Sequence, residues 1–289
     1  MTTLRAPAKV NLTLEVIRRR PDGYHDIRSV VLLLPHLADT VQVHVADGPT
    51  DVTISTRSAE IPVDNTNICH RATVRFLAHI NKTARVTIDI AKRIPVAAGL
   101  GGGSSDAAAA LLALNRHFGE RVSPRRLAAI GADVGKDVPV FLYGAEISHV
   151  SGTGERVRAI GASPAMHLLI VNPRIAIATK DAYAALRNEL WFMDAPARTD
   201  RSRRMLTALD SNDLSAVAAT LYNDFELVAD CAHPVLKEIR QSLRAFGAAG
   251  ALMSGSGSTL FGIFASLRTL TAARKVLSAR YPDFFVERG

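Results

Sequence analysis

The segment Pro95-Val-Ala97-Ala-Gly99-Leu100-Gly101-Gly102-Gly103-Ser104-Ser105-Asp106 sets four glycines in five positions directly ahead of an alanine-rich run. Glycine allows positive φ and close backbone approach to a ligand, and Ser104, Ser105 and Asp106 are residues that open a helix. Successive amides at a helix start form an anion site, so the segment reads as a phosphate cradle. A plain flexible turn is the weaker reading, because strand-like residues precede the run and a helix follows it at once. Two other glycine motifs fail. A dinucleotide fingerprint needs G-x-G-x-x-G and an acidic residue downstream, whereas Gly99, Gly101 and Ser104 give G-x-G-x-x-S. A P-loop needs G-x-x-x-x-G-K followed by Ser or Thr, and Gly131-Ala-Asp-Val-Gly135-Lys136-Asp137 is one residue short and ends in aspartate. Elsewhere, Tyr24 and His25 follow a Pro21-Asp22-Gly23 turn and are suited to stacking on and hydrogen bonding to a base. Ser254-Gly-Ser-Gly-Ser-Thr259 offers small residues and hydroxyls for close approach to oxyanions, although SGSG alone is also an ordinary turn.

These groups need elements to hold them. Alternating apolar residues predict strands at 10–14, 30–34, 41–45 and 52–54, divided by Pro21-Asp22-Gly23 and Asp47-Gly48-Pro49. Ile68, Ala72, Phe76, Leu77 and Ile80 share a helical face, and residues 85–90 alternate as a strand that leads into the glycines. Ala107 to Phe118 reads as a helix closed by Gly119, and Ser123-Pro124 caps another to about Ala132. The second half reads as a strand at 166–171, helices at 179–190 and 212–222, and an amphipathic helix from Pro234. A glycine-rich hairpin at 247–264, a helix at 266–280 and a short strand at Phe284-Phe-Val-Glu287 complete it. Helix, two strands, helix and strand form the core of a split βαβ, ferredoxin-like sandwich. The fold class is therefore α+β, divided near residue 160 into 1–160 and 161–289.

Composition narrows the field. With 48% hydrophobic and 21% charged residues in 289, disorder, collagen and coiled coil are excluded. The longest apolar run, Ala107 to Leu114, is far below the ~20 residues of a membrane span. Cys69 and Cys231 show no ligand spacing, so zinc and disulfides are not expected and a cytoplasmic setting is. The net charge of +8 raises the question of nucleic acid. Its basic residues are scattered and aromatics make up only 6%, so attraction of small phosphates explains the excess as well. Neither nucleic acid nor membrane is an expected partner.

Four motifs then converge. Ala6-Pro-Ala-Lys9-Val-Asn11-Leu, the GLGGGSSDAA loop, Asp137-Val-Pro-Val-Phe and Met253-Ser-Gly-Ser-Gly-Ser-Thr259 resemble, in order and spacing, the motifs of the GHMP kinase superfamily. Arg20-Pro-Asp-Gly23-Tyr24-His25, Asn67-Ile-Cys-His-Arg71-Ala and Asn223-Asp-Phe-Glu226 point to its branch that acts on a cytidine diphosphate conjugate of methylerythritol. The resemblance covers essentially the whole chain. It implies a GHMP kinase fold: an N-terminal ATP-binding domain like the second domain of ribosomal protein S5, and a ferredoxin-like C-terminal domain. It implies ATP-dependent phosphorylation of the conjugate's tertiary 2-hydroxyl in the non-mevalonate route to isoprenoid precursors.

Phosphoryl transfer to an alcohol needs ATP held by its phosphates, a carboxylate for the hydroxyl proton and positive charge nearby. Asp137, in a short glycine-flanked segment, is the expected base, a role the family pattern also gives it. By resemblance, Lys9 is the catalytic lysine that orients Asp137. Pro95, Ala97, the loop from Gly99 to Ser105, Asn67 and Lys92 hold ATP. Asn11, Tyr24, His25, Tyr183, Gly257 and Ser258, with Asp137, hold the substrate. Mg²⁺ is expected on the β- and γ-phosphate oxygens, with protein ligands that the sequence does not assign. Lys136 replaces the small residue usual before the aspartate, the stretch after Arg28 lacks a common polar residue, and Ala178 and Lys180 replace prolines. Another GHMP kinase of homoserine or mevalonate type, or a silent nucleotide-binding module, are the alternatives. Gly23-Tyr24-His25 argues against the first, and joint retention of Lys9, the glycine loop and Asp137 against the second.

Overall fold

Alternation of apolar residues carries the first hairpin. β1 (Thr2–Arg19) and β2 (His25–Ala46) pair antiparallel around the Pro21-Asp22-Gly23 turn. β2 runs through both strands expected at 30–34 and 41–45. Its register shift places Leu34 opposite Ala8 and Ala38 opposite Pro7, so Pro35 falls where the ladder needs no amide donor. The computed structural model describes residues 1–161, 164–189 and 200–289.

The chain continues through β3 (Asp51–Thr56), α1 (Ile68–His79), β4 (Arg85–Ala91), α2 (Gly102–His117), α3 (Pro124–Val134), α4 (Val138–Tyr143), β5 (Ile147–Gly152) and β6 (Arg156–Ile160). The sheet runs β3-β4-β2-β1. The first half of β2 also pairs with β5, and β5 with β6. Helices α1 to α3 bury Phe76, Leu111 and Leu127 in one core with Val41 and Ile88 of the sheet.

The second half holds β7 (His167–Asn172), α5 (Thr179–Glu189), α6 (Arg201–Asp210), α7 (Leu214–Thr220), β8 (Tyr222–Asn223), α8 (Glu226–Ala232), α9 (Pro234–Ala245), β9 (Gly250–Met253), β10 (Leu260–Phe264), α10 (Leu267–Arg280) and β11 (Phe285–Arg288). Residue 190, expected in the helix at 179–190, lies outside the described residues. The second sheet is antiparallel in the order β11-β7-β10-β9, its own fourth, first, third and second strands in chain order. That is the ferredoxin-like order expected from the element pattern. Leu236, Ile239 and Leu243 of α9 and Leu270 and Leu277 of α10 share its core.

The two halves interlock. β8 pairs in parallel with β1, Thr13 opposite Tyr222, and so adds a strand from the second half to the first sheet. β1 is thereby paired on both edges at Thr13 and Leu14, and its polar residues Lys9, Asn11, Thr13 and Glu15 are only 5%, 5%, 0% and 3% exposed. Among the described residues no helix is long and apolar enough to cross a membrane.

Candidate active site

The glycine loop joins β4 to α2. The helix starts earlier than Ser104: it is capped by Gly101, in the left-handed region at φ 72°, and Gly102 and Gly103 occupy its first turn. Ser104, Ser105 and Asp106 therefore lie inside the helix. The first amides of a helix have no intrahelical acceptor, which leaves them to an anion. The loop is tied to β1, where the Lys9 amide donates to the Leu100 carbonyl at 3.0 Å.

Its glycines are also packed against protein. A Cβ on Gly99 would stand 2.3 Å from the Ser254 carbonyl oxygen. One on Gly101 would meet Phe141 at 2.9 Å and the Lys9 side chain at 3.1 Å. Gly101 thus makes room for the lysine that the resemblance singles out. The Ser254 hydroxyl donates to the Gly99 carbonyl at 3.0 Å and accepts from the Asn11 amide at 3.3 Å. The 254–259 loop of the second half therefore holds both the glycine loop and β1.

Lys9 is buried and points at Asp137, with Nζ 3.7 Å from Oδ2. Asp137 precedes α4, makes no capping bond, and its side chain is 43% exposed. An accessible carboxylate beside a buried ammonium and a helix start is an arrangement that can accept a proton while positive charge steadies an incoming oxyanion. Asn11 does not point to open space. Its Oδ1 accepts from Lys9 Nζ at 2.7 Å, and its Nδ2 donates to Ser29 Oγ at 2.8 Å.

The aromatic group lies nearby. His25 is buried and stacks on Tyr183, ring centroids 4.5 Å apart, and Tyr183 meets Phe225 edge-on. Burial, followed by the negative charges of Asp137 and Asp224, pushes the Tyr183 phenol up to about 12, which keeps it neutral. A base cannot enter between His25 and Tyr183 without parting them. Tyr24 is 54% exposed, and Lys136 Nζ lies 5.5 Å from its ring centre. Lys136 also donates to the Ala132 carbonyl at 3.2 Å, so it closes α3 and lies over Tyr24.

Other residues named from the sequence have partners within the protein. Asn67 caps α1, accepting from the Cys69 amide, and donates to the Pro62 carbonyl. Lys92 is bound between Asp39 at 2.5 Å and Asp106 at 2.8 Å, all three buried. Desolvation, which outweighs the Lys92 charge, pushes the Asp106 carboxyl up to about 7. Ser258 is buried and donates to the Ile175 carbonyl, and Gly257 packs under Met253. Pro95 lines a cleft of about 830 Å³ with Lys92, Arg57, Ser58 and Arg174; neither Lys9 nor Asp137 lines it. Ser29 was not singled out from the sequence, and Ser254 and Asn223 stood out only as members of longer motifs. Asn223 donates to the Met253 and Gly255 carbonyls, and the Asn223-Asp-Phe-Glu226 motif was its one visible signal.

Among the described residues no three His, Cys, Asp or Glu side chains gather to hold a metal. The Ser105 hydroxyl is buried without a hydrogen-bond partner at the start of α2. That suits a cation held chiefly by nucleotide phosphates with one protein oxygen, as Mg²⁺ often is.

The two-lobed fold, with its glycine-rich helix start and lysine–aspartate pair, is that of the GHMP class of small-molecule kinases. The profile of the GHMP kinases N terminal domain matches residues 67–145, and that of the GHMP kinases C terminal domain residues 205–283. A 4-diphosphocytidyl-2-C-methyl-D-erythritol kinase of Geobacter metallireducens is 42% identical over 98% of this chain and 96% of its own. A crystal structure of 4-(cytidine 5'-diphospho)-2C-methyl-D-erythritol kinase superposes with a TM-score of 0.79 at 33% identity, covering 99% of this chain and 98% of that one. A homoserine kinase from Cytophaga hutchinsonii, 19% identical and covering 99% of this chain and 93% of its own, shares the fold with a TM-score of 0.80. The chain belongs to the 4-diphosphocytidyl-2-C-methyl-D-erythritol kinase family of the GHMP kinases.

Proposed function

We propose that the chain transfers the γ-phosphoryl group of ATP to the 2-hydroxyl of 4-diphosphocytidyl-2-C-methyl-D-erythritol, the substrate in the names of its relatives at 42% and 33% identity. The observation that carries the chemistry is the Lys9–Asp137 pair, 3.7 Å apart with only the carboxylate accessible. Asp137 takes the hydroxyl proton as the substrate oxygen bonds to the γ-phosphorus. The bond from that phosphorus to the β–γ bridging oxygen breaks, and ADP leaves. Lys9 orients Asp137 and favours the developing alkoxide. The amides at the start of α2 receive the phosphates, and the cleft beginning at Pro95 is space beside them for the nucleoside. Mg²⁺, when bound, would supply neutralising charge to the transferring phosphates, and Ser105 would offer it a hydroxyl oxygen. The cytosine packs against the His25, Tyr183 and Tyr24 group, where Tyr24 offers an exposed ring.

The reading is tested with purified protein, ATP, Mg²⁺ and the cytidylylated erythritol, following ADP release. Turnover is expected here; turnover with homoserine or phosphomevalonate in its place would refute the assignment. Asp137→Asn should abolish turnover while an ATP analogue still binds, and activity within a few-fold of the parent removes Asp137 from its role.

A further inference from the structure

The Lys9 side chain is aimed by a chain of hydrogen bonds whose direction is fixed at its far end. The Thr13 carbonyl can only accept, and Ser29 Oγ stands 2.5 Å from it, so the one hydroxyl proton of Ser29 points there. Toward Asn11, 2.8 Å away, Ser29 Oγ is then an acceptor, and Asn11 must present Nδ2 to it. Asn11 Oδ1 consequently faces Lys9 Nζ at 2.7 Å. The reversed amide would set oxygen against oxygen at Ser29 and NH₂ against ammonium at Lys9, leaving buried polar groups unpaired on both sides. Ser29 is fully buried, and Asn11 and Lys9 nearly so. Only one amide orientation is compatible with the site, and Ser29 and the donor-only Lys9 ammonium both require it, Ser29 from the end anchored to the backbone.

We propose that Ser29 is a positioning residue for phosphoryl transfer: it locks the Asn11 amide and, through it, directs the Lys9 ammonium toward Asp137. The inference rests on the reading of Lys9 and Asp137 given above. It also gives Asn11 a different part from the substrate contact expected from the sequence, since both polar atoms of its side chain are engaged within the protein.

Ser29→Ala removes the lock and should lower kcat about tenfold, equivalent to ~1.4 kcal/mol. The KM for ATP should stay within about twofold, because the amides at the start of α2 are untouched. Ser29→Cys, nearly isosteric with a sulfur that accepts weakly, should act in the same direction and gives the answer if the alanine variant does not fold. Asn11→Ala breaks the chain at its centre. Adding Ser29→Ala to it should change kcat by less than about twofold, because the two act as one unit. Additive losses in that double variant, unchanged kcat in both Ser29 variants, or a loss seen only as raised KM for ATP would each overturn the proposal. Lys9→Ala, assayed alongside, keeps the two levels apart. If it retains kcat, the reading of the site fails and this inference with it. If it is inactive while the Ser29 variants match the parent, the inference alone fails.

Discussion

Replacing Gly99 by alanine would set a Cβ 2.3 Å from the Ser254 carbonyl oxygen and 3.1 Å from that of Gly257, at φ +74°. The left-handed backbone costs an alanine ~1–2 kcal/mol. Relief of the clash requires two backbone segments to part by more than half an ångström, and overpacking of that kind costs ~1–3 kcal/mol. Together these give ~2–5 kcal/mol, which lowers Tm by at least about 4 °C at roughly 2 °C per kcal/mol for a chain of this size. Function should suffer through the same movement, because the Gly99 carbonyl accepts from Ser254 Oγ and the adjoining Leu100 carbonyl accepts from the Lys9 amide. The assay pairs thermal unfolding with the KM for ATP. Gly103→Ala is the control: its Cβ would meet nothing nearer than 3.7 Å, and alanine in a helix is favoured over glycine by up to ~1 kcal/mol, so apo stability should hold or rise. A Gly99→Ala protein with unchanged Tm and unchanged KM for ATP would refute the claim that the two loops share this contact.

Two further substitutions test the buried ionic groups. Lys92→Met strands Asp39 and Asp106 without their cation and should destabilise the protein by ~3–5 kcal/mol in denaturant unfolding, with partial recovery when Asp106→Asn is added. Glu15→Gln puts an NH₂ group among the donors that now meet its carboxylate, which are the Arg28 guanidinium, the Arg201 and Ser202 backbone amides and the Ser202 hydroxyl. It should cost ~1–3 kcal/mol by the same measurement, and unchanged stability would show that α6 is not held by this contact.

Much of the fold was legible because it rests on local patterns. Alternation marked the β1–β2 hairpin, the Pro-Asp-Gly turn its reversal, and the helix-strand-strand-helix-strand order the second sheet. The merger of two expected strands into β2 was not visible, because the irregularity at Pro35 looks like a break when the opposing register is unknown. α6 escaped for a similar reason: its first amides are held by Glu15, 186 and 187 positions earlier. In the site, the glycine run and the Lys9 and Asp137 positions were readable, but the reason for most of the glycines was not. Gly99, Gly101 and Gly102 are crowded by Ser254, by Phe141 and Lys9, and by Ile94 and Lys92, so the run serves protein packing as well as anion approach. Lys92 and Asn67 are nucleotide contacts by resemblance alone, and nothing in the sequence hinted that they also have partners inside the protein, such as Asp39 for Lys92 and the Pro62 carbonyl for Asn67.

The polar row of β1 bears on how the protein is made. Lys9 and Asn11 find their neighbours in the glycine loop and at Ser254, Thr13 and Glu15 find theirs at Ser202, and β1 gains its second strand partner at residues 222 and 223. A ribosome delivers β1 before the elements that cover it, and Ser254 last of these partners. Domains usually fold in the order they emerge. Here β1 must wait with a lysine and a glutamate unburied, so the end of the molecule that carries Lys9 and Asp137 is assembled late in synthesis, when both lobes are present.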